Sequence, residues 1–212
     1  GYAASQRDVT RRKEAERAMK RESALNRAQA EIARAVVQPD LTIEQLAVVV
    51  RRVAMDITES ESAFVSSIDR ATGDNVGHTL SPMMRDGQCE VEGKRTAFAK
   101  KRGGYPGLWG HALNTGEPFF TNAPREHAAS TGVPDGHVPL RRFLAAPAVY
   151  RGEAVGEIAL ANSSRDYTER DLETVGVLAG LFSVAVAGIR NREELQEAKE
   201  QAEEASQTKS LF

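Results

Sequence analysis

The side chains able to do chemistry in this chain are few: one cysteine, four histidines, and a small set of aromatic and arginine residues. Cys89 lies in Asp86-Gly87-Gln88-Cys89-Glu90-Val91. A thiol there can serve as a redox sensor, or tether or ligate a haem or bilin; the plainer reading is a partly buried, inert cysteine. No second cysteine or C-x-x-C-H pattern accompanies it. His111, His127 and His137 follow one another at intervals of 16 and 10 residues, which is not a metal-binding fingerprint. His111 reads as a packing or capping residue on a short helix. His137 enters the segment Val138-Pro139-Leu140-Arg141-Arg142-Phe143 beside two arginines and is the more interesting of the three as a haem ligand. Tyr105, Trp109, Phe119 and Phe143 can wall an apolar ligand pocket, with core packing as the alternative, strongest for Phe143. Arg141 can hold an anion through its planar fork or pair with a surface carboxylate. Phosphate-loop, nucleophile-elbow, zincin and paired C-x-x-C signatures are all missing, so no catalytic centre and no metal site is expected.

Composition narrows the partners. Lys and Arg number 28 against 30 Asp and Glu, a net charge of −2, which gives no electrostatic reason to expect nucleic acid or an anionic membrane. The single cysteine fits a reducing compartment and excludes a disulfide framework. Without a run of about eighteen apolar residues or a signal-peptide pattern, the expectation is a soluble, cytoplasmic protein.

The elements that must position these residues follow from periodicity. Residues 5–37 read as a charged helix with a thin apolar seam through Leu25 and Ile32, stopped by Pro39. Asp40 or Thr42 caps a second helix with an apolar stripe from Leu41 to Ile57, wide enough to lie on a sheet. A strand over Ser62–Asp69 turns through Ala71–Asn75 into a partner strand at Val76–Leu80. Ser81–Gly104 reads as a long loop. Leu108–Leu113 forms a short helix ended by Gly116, then a strand at Pro118–Thr121 and irregular chain to Pro139. Phe143–Tyr150 and Val155–Ala161 make a hairpin across Arg151-Gly152-Glu153. Thr168 and Asp171 form an approximate capping box for a last helix that runs unbroken into a charged tail. Leu195, Ala198 and Ala202, with Ala205, recur there at steps of three and four, as a coiled-coil seam does. The fold class is α+β: an antiparallel sheet with helices packed on one face, ligand-sized loops on the other, and long coiled-coil helices at both ends. The domain limits are 1–38, 39–190 and 191–212.

Three stretches carry a family resemblance. Gly107-Leu108-Trp109-Gly110-His111-Ala112-Leu113-Asn114-Thr115-Gly116-Glu117-Pro118-Phe119-Phe120-Thr121-Asn122 resembles the helix-then-strand element of GAF domains. Phe143–Val149 with Val155–Asn162 is similar to that family's paired central strands, and Tyr167–Leu172 to the entry of its last helix. The flank Arg7–Glu16 resembles the exit of a PAS domain, and Ala202–Phe212 the segment before the phosphoacceptor helix of sensor histidine kinases. The resemblance implies a cytoplasmic sensor and relay domain of a two-component histidine kinase. It would act as a homodimer between an upstream PAS-like module and a downstream kinase, and respond to a small ligand or redox state. A ligand-free dimerising spacer and a haem-based redox or gas sensor are the alternatives. Bilin-attachment motifs and the asparagine-lysine-x-phenylalanine-aspartate-glutamate signature of cyclic-nucleotide GAF domains do not occur; Asn162 alone stands in a similar place.

Overall fold

Six strands pair antiparallel into one sheet in the order β3-β2-β1-β6-β5-β4. They are β1 Ser60–Ile68, β2 Asn75–Gly77, β3 Thr96–Phe98, β4 Phe119–Thr121, β5 Phe143–Tyr150 and β6 Glu153–Ser163. The computed structural model describes Met19 and residues 22–79, 96–133 and 139–210; Cys89 and His137 lie outside these. Strand β3 falls within the stretch read as a loop. It is three residues long and pairs only at the sheet edge, Asn75 opposite Phe98.

Three helices share one face of the sheet: α1 (residues 22–36), α2 Ile43–Thr58 and α4 Glu169–Ser210. Thr42 is the α2 cap; its hydroxyl accepts from the Gln45 amide and the Gln45 side chain accepts from the Thr42 amide. Leu46, Val50 and Ala54 of α2 and Val175, Leu178, Phe182 and Val186 of α4 interlock with Val65, Leu144, Ile158 and Leu160 of the central strands. Helix α1 joins this core: Ala28 and Ile32 are buried in it and Leu25 packs against it. The N-terminal seam is thus used inside the chain.

The opposite face is not left to loops alone. Helix α3, Gly107–Thr115, lays Leu108 and Ala112 over Phe143, Ala145 and Ala159. Both sides of the central strands are therefore dry. This is why β5 reads as an almost continuous apolar run and why odd-numbered residues of β6 are buried as deeply as even ones.

Helix α4 continues for 42 residues. Its sheet-packed part contains an 18-residue window apolar enough by composition to cross a bilayer, half of it buried against the domain. The expectation that no such stretch exists is corrected here. A helix that packs on a sheet and shows valine, leucine and small residues outward accumulates the same composition.

Candidate functional site

Two groups of side chains occupy the face covered by α3. The first is a chain of rings. Phe64 of β1 meets Phe98 of β3 edge-on at 5.7 Å, Phe98 meets Trp109 at 4.8 Å, and Trp109 meets Tyr105 at 5.7 Å between centroids. Tyr105 is fixed at both ends. Its hydroxyl donates to the Gly73 carbonyl at 2.6 Å, and Asn114 clamps its backbone by accepting from the amide at 2.9 Å and donating to the carbonyl at 2.8 Å. Burial, followed by the nearby Asp74 and Glu157 charges, pushes the Tyr105 phenol above its ordinary range.

Gly110 is what lets α3 sit so close to that loop. A Cβ there would stand 2.3 Å from the Tyr105 carbonyl oxygen and 2.4 Å from its carbon. Backbone cannot yield as a side chain does. Gly110→Ala is expected to lower stability by about 2 kcal/mol, as overpacking does, and to alter the near-ultraviolet dichroism of Trp109. Urea unfolding monitored at that tryptophan checks both.

The second group is centred on His111, in the middle of α3. His111, Phe119 and His127 pack in a triangle with centroids 4.9, 5.2 and 5.0 Å apart, and Phe143 touches Phe119 at 5.8 Å. The His127 Nδ1 accepts from the Ala129 amide at 3.2 Å. Among the described residues no three histidine, cysteine or acidic side chains converge as metal ligands do. Beside this group runs a groove of about 330 Å³ bordered by Leu108, Pro124, Arg125, Val133 and Leu140. The aromatic residues expected to wall a pocket do not line it; they are packed on one another. Arg141 sits at the mouth of β5, its Nη2 at 2.8 and 2.7 Å from the two Glu61 carboxylate oxygens, and is exposed.

Between the ring chain and the sheet lies a polar patch that the sequence reading passed over. Ser66 of β1 stands opposite Glu157 of β6 on one side and Gly77 of β2 on the other, and Asn75 is two residues before Gly77. All three side chains share the α3 side of the sheet with Phe64 and Ala159. Ser66, Asn75 and Glu157 are each 0% exposed. The Asn75 amide donates to one Glu157 oxygen at 3.4 Å, while among the described residues the other Glu157 oxygen, the Asn75 oxygen and the Ser66 hydroxyl have no partner. Burial raises the Glu157 carboxyl well above the usual carboxylate range, and the long bond from Asn75 offsets little of that.

A third arrangement ties the sheet to α4. The Tyr167 hydroxyl, pushed up to about 12 by burial, meets the Ser60 hydroxyl at 2.7 Å, which meets Thr58 at 2.7 Å. Asn122, the residue after β4, braces the Tyr167 backbone with bonds of 3.0 and 2.9 Å. Arg165 forks onto Asp171 with two bonds of 2.7 Å, and the same carboxylate accepts from the Thr168 amide and hydroxyl. The start of α4 is thereby fixed to β1, β4 and the end of α2. Asn162 closes β6 in the left-handed region, φ 58°. Its side chain accepts from the Arg141 amide at 2.8 Å and donates to the Pro139 carbonyl at 3.1 Å.

A six-stranded antiparallel sheet, three helices on one face, and a short helix with loops enclosing polar and aromatic side chains on the other define a small sensor-type α+β domain. Residues 40–187 match the family model described as GAF domain, and the chain belongs to that family. Three solved structures resemble it in fold. The GAF domain of a phosphoenolpyruvate-protein phosphotransferase from Coxiella burnetii shares 20% identity, covers 84% of this chain and 98% of that one, and superposes with a TM-score of 0.65. The free methionine-R-sulfoxide reductase of Neisseria meningitidis, in complex with its substrate, shares 13% over 81% and 90%, with a TM-score of 0.60. Residues 122 to 287 of a methyl-accepting chemotaxis protein share 14% over 79% and 98%, with a TM-score of 0.56. No curated protein matches the sequence.

Proposed function

We propose that this domain is a cytoplasmic sensory and relay module of a sensor histidine kinase, without catalysis of its own. It takes up a small ligand on the α3 side of its sheet and passes the change through paired α4 helices to a downstream kinase. The observation that carries this reading is the continuity of α4. One unbroken helix begins in the network around Tyr167 and Asp171, packs on β5 and β6, and leaves the domain as an exposed rod. Membership of the GAF family, a signalling and sensory family, supports the sensory half.

The outward face of α4 supports the paired half. Val177, Leu181, Val184, Gly188, Asn191, Leu195, Ala198, Ala202 and Ala205 follow at alternating steps of four and three, and none of them is buried. Val184 is 61% and Leu195 72% exposed. This stripe runs from the domain surface into the rod without a break in register, so one partner helix can follow it throughout. With Leu195 at a core position of the heptad, Glu194 and Lys199 fall on the flanks of the stripe, paired within the chain to Arg70 and Glu203. A second copy in parallel sets the part of each stripe on the domain surface, Val177 to Gly188, against its own counterpart.

Leu195 touches nothing in its own chain's core, so Leu195→Glu leaves the domain folded. It is expected to weaken the dimer by about 50-fold, the equivalent of burying one leucine and not burying a carboxylate. Light scattering after size exclusion measures this. A wild-type chain that stays monomeric at high concentration overturns the paired-helix relay.

A further inference from the structure

The geometry points to Glu157, Asn75 and Ser66, bordered by Phe64, Phe98 and Tyr105, as the recognition element for a small organic cation bearing N–H donors, an alkylammonium or a guanidinium. This rests on the sensory reading above and gives the ligand a chemical class. Three buried oxygens on three adjacent strands lack a hydrogen-bond partner among the described residues: Glu157 Oε2, Asn75 Oδ1 and Ser66 Oγ. Buried polar atoms are almost always satisfied, and three orphans in one corner mark a place prepared for something else. Asn75 Oδ1 and an ionised Glu157 oxygen can only accept, and the Ser66 hydroxyl can accept as well as donate, so a ligand carrying donors satisfies all three.

The surroundings select a cation. Phe98 stands opposite Asn75 in the β2–β3 pairing, and Phe64 lies two residues before Ser66 on the same side of β1. Tyr105, pinned over the β1–β2 turn, is near enough for the Glu157 charge to act on its phenol. Aromatic faces with a carboxylate among them attract positive nitrogen through the ring quadrupole as well as through charge. The carboxylate supplies one hydrogen-bond acceptor, Asn75 and Ser66 the others, so a nitrogen with at least two N–H bonds uses the corner best.

Burial favours the protonated carboxyl when no counter-charge is present. An incoming cation provides that charge, the Glu157 proton leaves to solvent, and an ion pair with two further hydrogen bonds replaces it. Among the described residues, the Asp74 carboxylate acts on the Tyr105 phenol and the Lys100 ammonium stands 5.7 Å from the centre of its ring. Tyr105 stays neutral near pH 7, and the opposite charges of Asp74 and Lys100 offset one another beside its ring, so the choice of a cation rests on Glu157.

Methylammonium and methylguanidinium chlorides are the probes, with tetramethylammonium and sodium chlorides at equal ionic strength as controls. Titration followed by amide chemical shifts is expected to move the signals of Ser66, Asn75 and Glu157 with the N–H cations and not with the controls. Glu157→Gln keeps the shape and removes the charge; affinity should fall about 100-fold, the usual cost of leaving a buried charge without its partner. Ser66→Ala, a smaller change, should weaken binding about fivefold through one lost hydrogen bond. Absence of saturable shifts in the wild type, or equal affinity in Glu157→Gln, overturns the assignment. Those results leave the dimer measurement untouched, so a dimer that binds no cation sinks the ligand class and a monomer that binds one sinks the relay.

Discussion

Asp171→Ala is expected to lower the free energy of unfolding by about 3 kcal/mol and to loosen the first turns of α4. The carboxylate is 3% exposed, forks with Arg165 through two 2.7 Å bonds, and also accepts from the Thr168 amide and hydroxyl. Removing one partner of a buried pair typically costs about 3–5 kcal/mol, because the other charge is left without compensation. Arg165 keeps 27% of its side chain in water, so the lower end applies. Burial alone would raise the Asp171 carboxyl, but the Arg165 fork and the Thr168 bonds outweigh it and hold it below the ordinary range. A depressed folded-state carboxylate stabilises above its unfolded value and loses that contribution as pH falls through the folded one. Wild type should therefore weaken on acidification below about pH 4, and Asp171→Ala should show less of that weakening. Urea titrations across pH measure the energy; amide exchange at the start of α4 reads the loosening. Unchanged protection there would mean that Tyr167 and Asn122 alone hold the helix.

The consequence for function lies in where that anchor sits. It joins the end of β6, the end of α2 and the start of α4, the elements that a shift of the sheet must drag along. Further up, the Arg190 guanidinium donates to the Ile68 carbonyl at 2.6 Å, Arg192 donates to the Leu41 carbonyl at 2.9 Å, and Arg70 pairs with Glu194. Ile68 ends the strand that carries Ser66, and Asn75 stands directly opposite it. The polar corner and the helix that leaves the domain are thus two residues and one arginine apart. Any ligand with unequal affinity for two positions of β1 would bias α4 by that difference and no more.

The elements legible in the sequence were those whose pattern is local. Phe143–Tyr150 stands as read because an apolar run between turn residues admits one structure, and Thr42 with Gln45 or Thr168 with Asp171 can be recognised as caps within four residues. Five strands of the GAF sheet followed from such pieces in order. Strand β3 was not legible. Thr96-Ala97-Phe98 has no periodicity of its own and becomes a strand only by pairing with β2. The fate of the seams was hidden for a similar reason, since Ile32 and Leu195 sit in equally thin stripes. Only tertiary packing buries the first and exposes the second. Among the candidate site residues, Tyr105, Trp109, His111, Phe119 and Phe143 do gather on the α3 side, but as packed rings beside the groove. Arg141 is spent on Glu61. Glu157 was missed because an acidic residue alternating with Ile158 and Leu160 reads as the wet side of a strand. The signal for its burial is α3 lying on that side, which no window around Glu157 contains.

That buried acid gives the second large effect, and its sign is opposite to that of Asp171. Glu157→Gln is expected to stabilise the unliganded domain at neutral pH and to flatten its dependence on pH. The Glu157 carboxyl is raised by burial well above its unfolded value of 4.5, with one weak bond from Asn75 in opposition. Between the unfolded and folded values the native state holds a proton that the unfolded chain has released, so unfolding becomes easier as pH rises. The stability present below pH 4.5 is lost progressively until the folded-state value is reached, at roughly 1.4 kcal/mol per pH unit. Glutamine has nearly the same shape and no proton to lose, so the mutant lacks this slope. The comparison is the difference between wild-type and Glu157→Gln unfolding energies at a series of pH values rising from about 5. It should grow with pH, in favour of the mutant. A constant difference would mean that the carboxyl ionises freely, which requires water at Glu157 Oε2 and would remove the reason for regarding that corner as built for a cation. A growing difference that methylguanidinium then shrinks would show one buried charge setting both the stability of the domain and its choice of ligand.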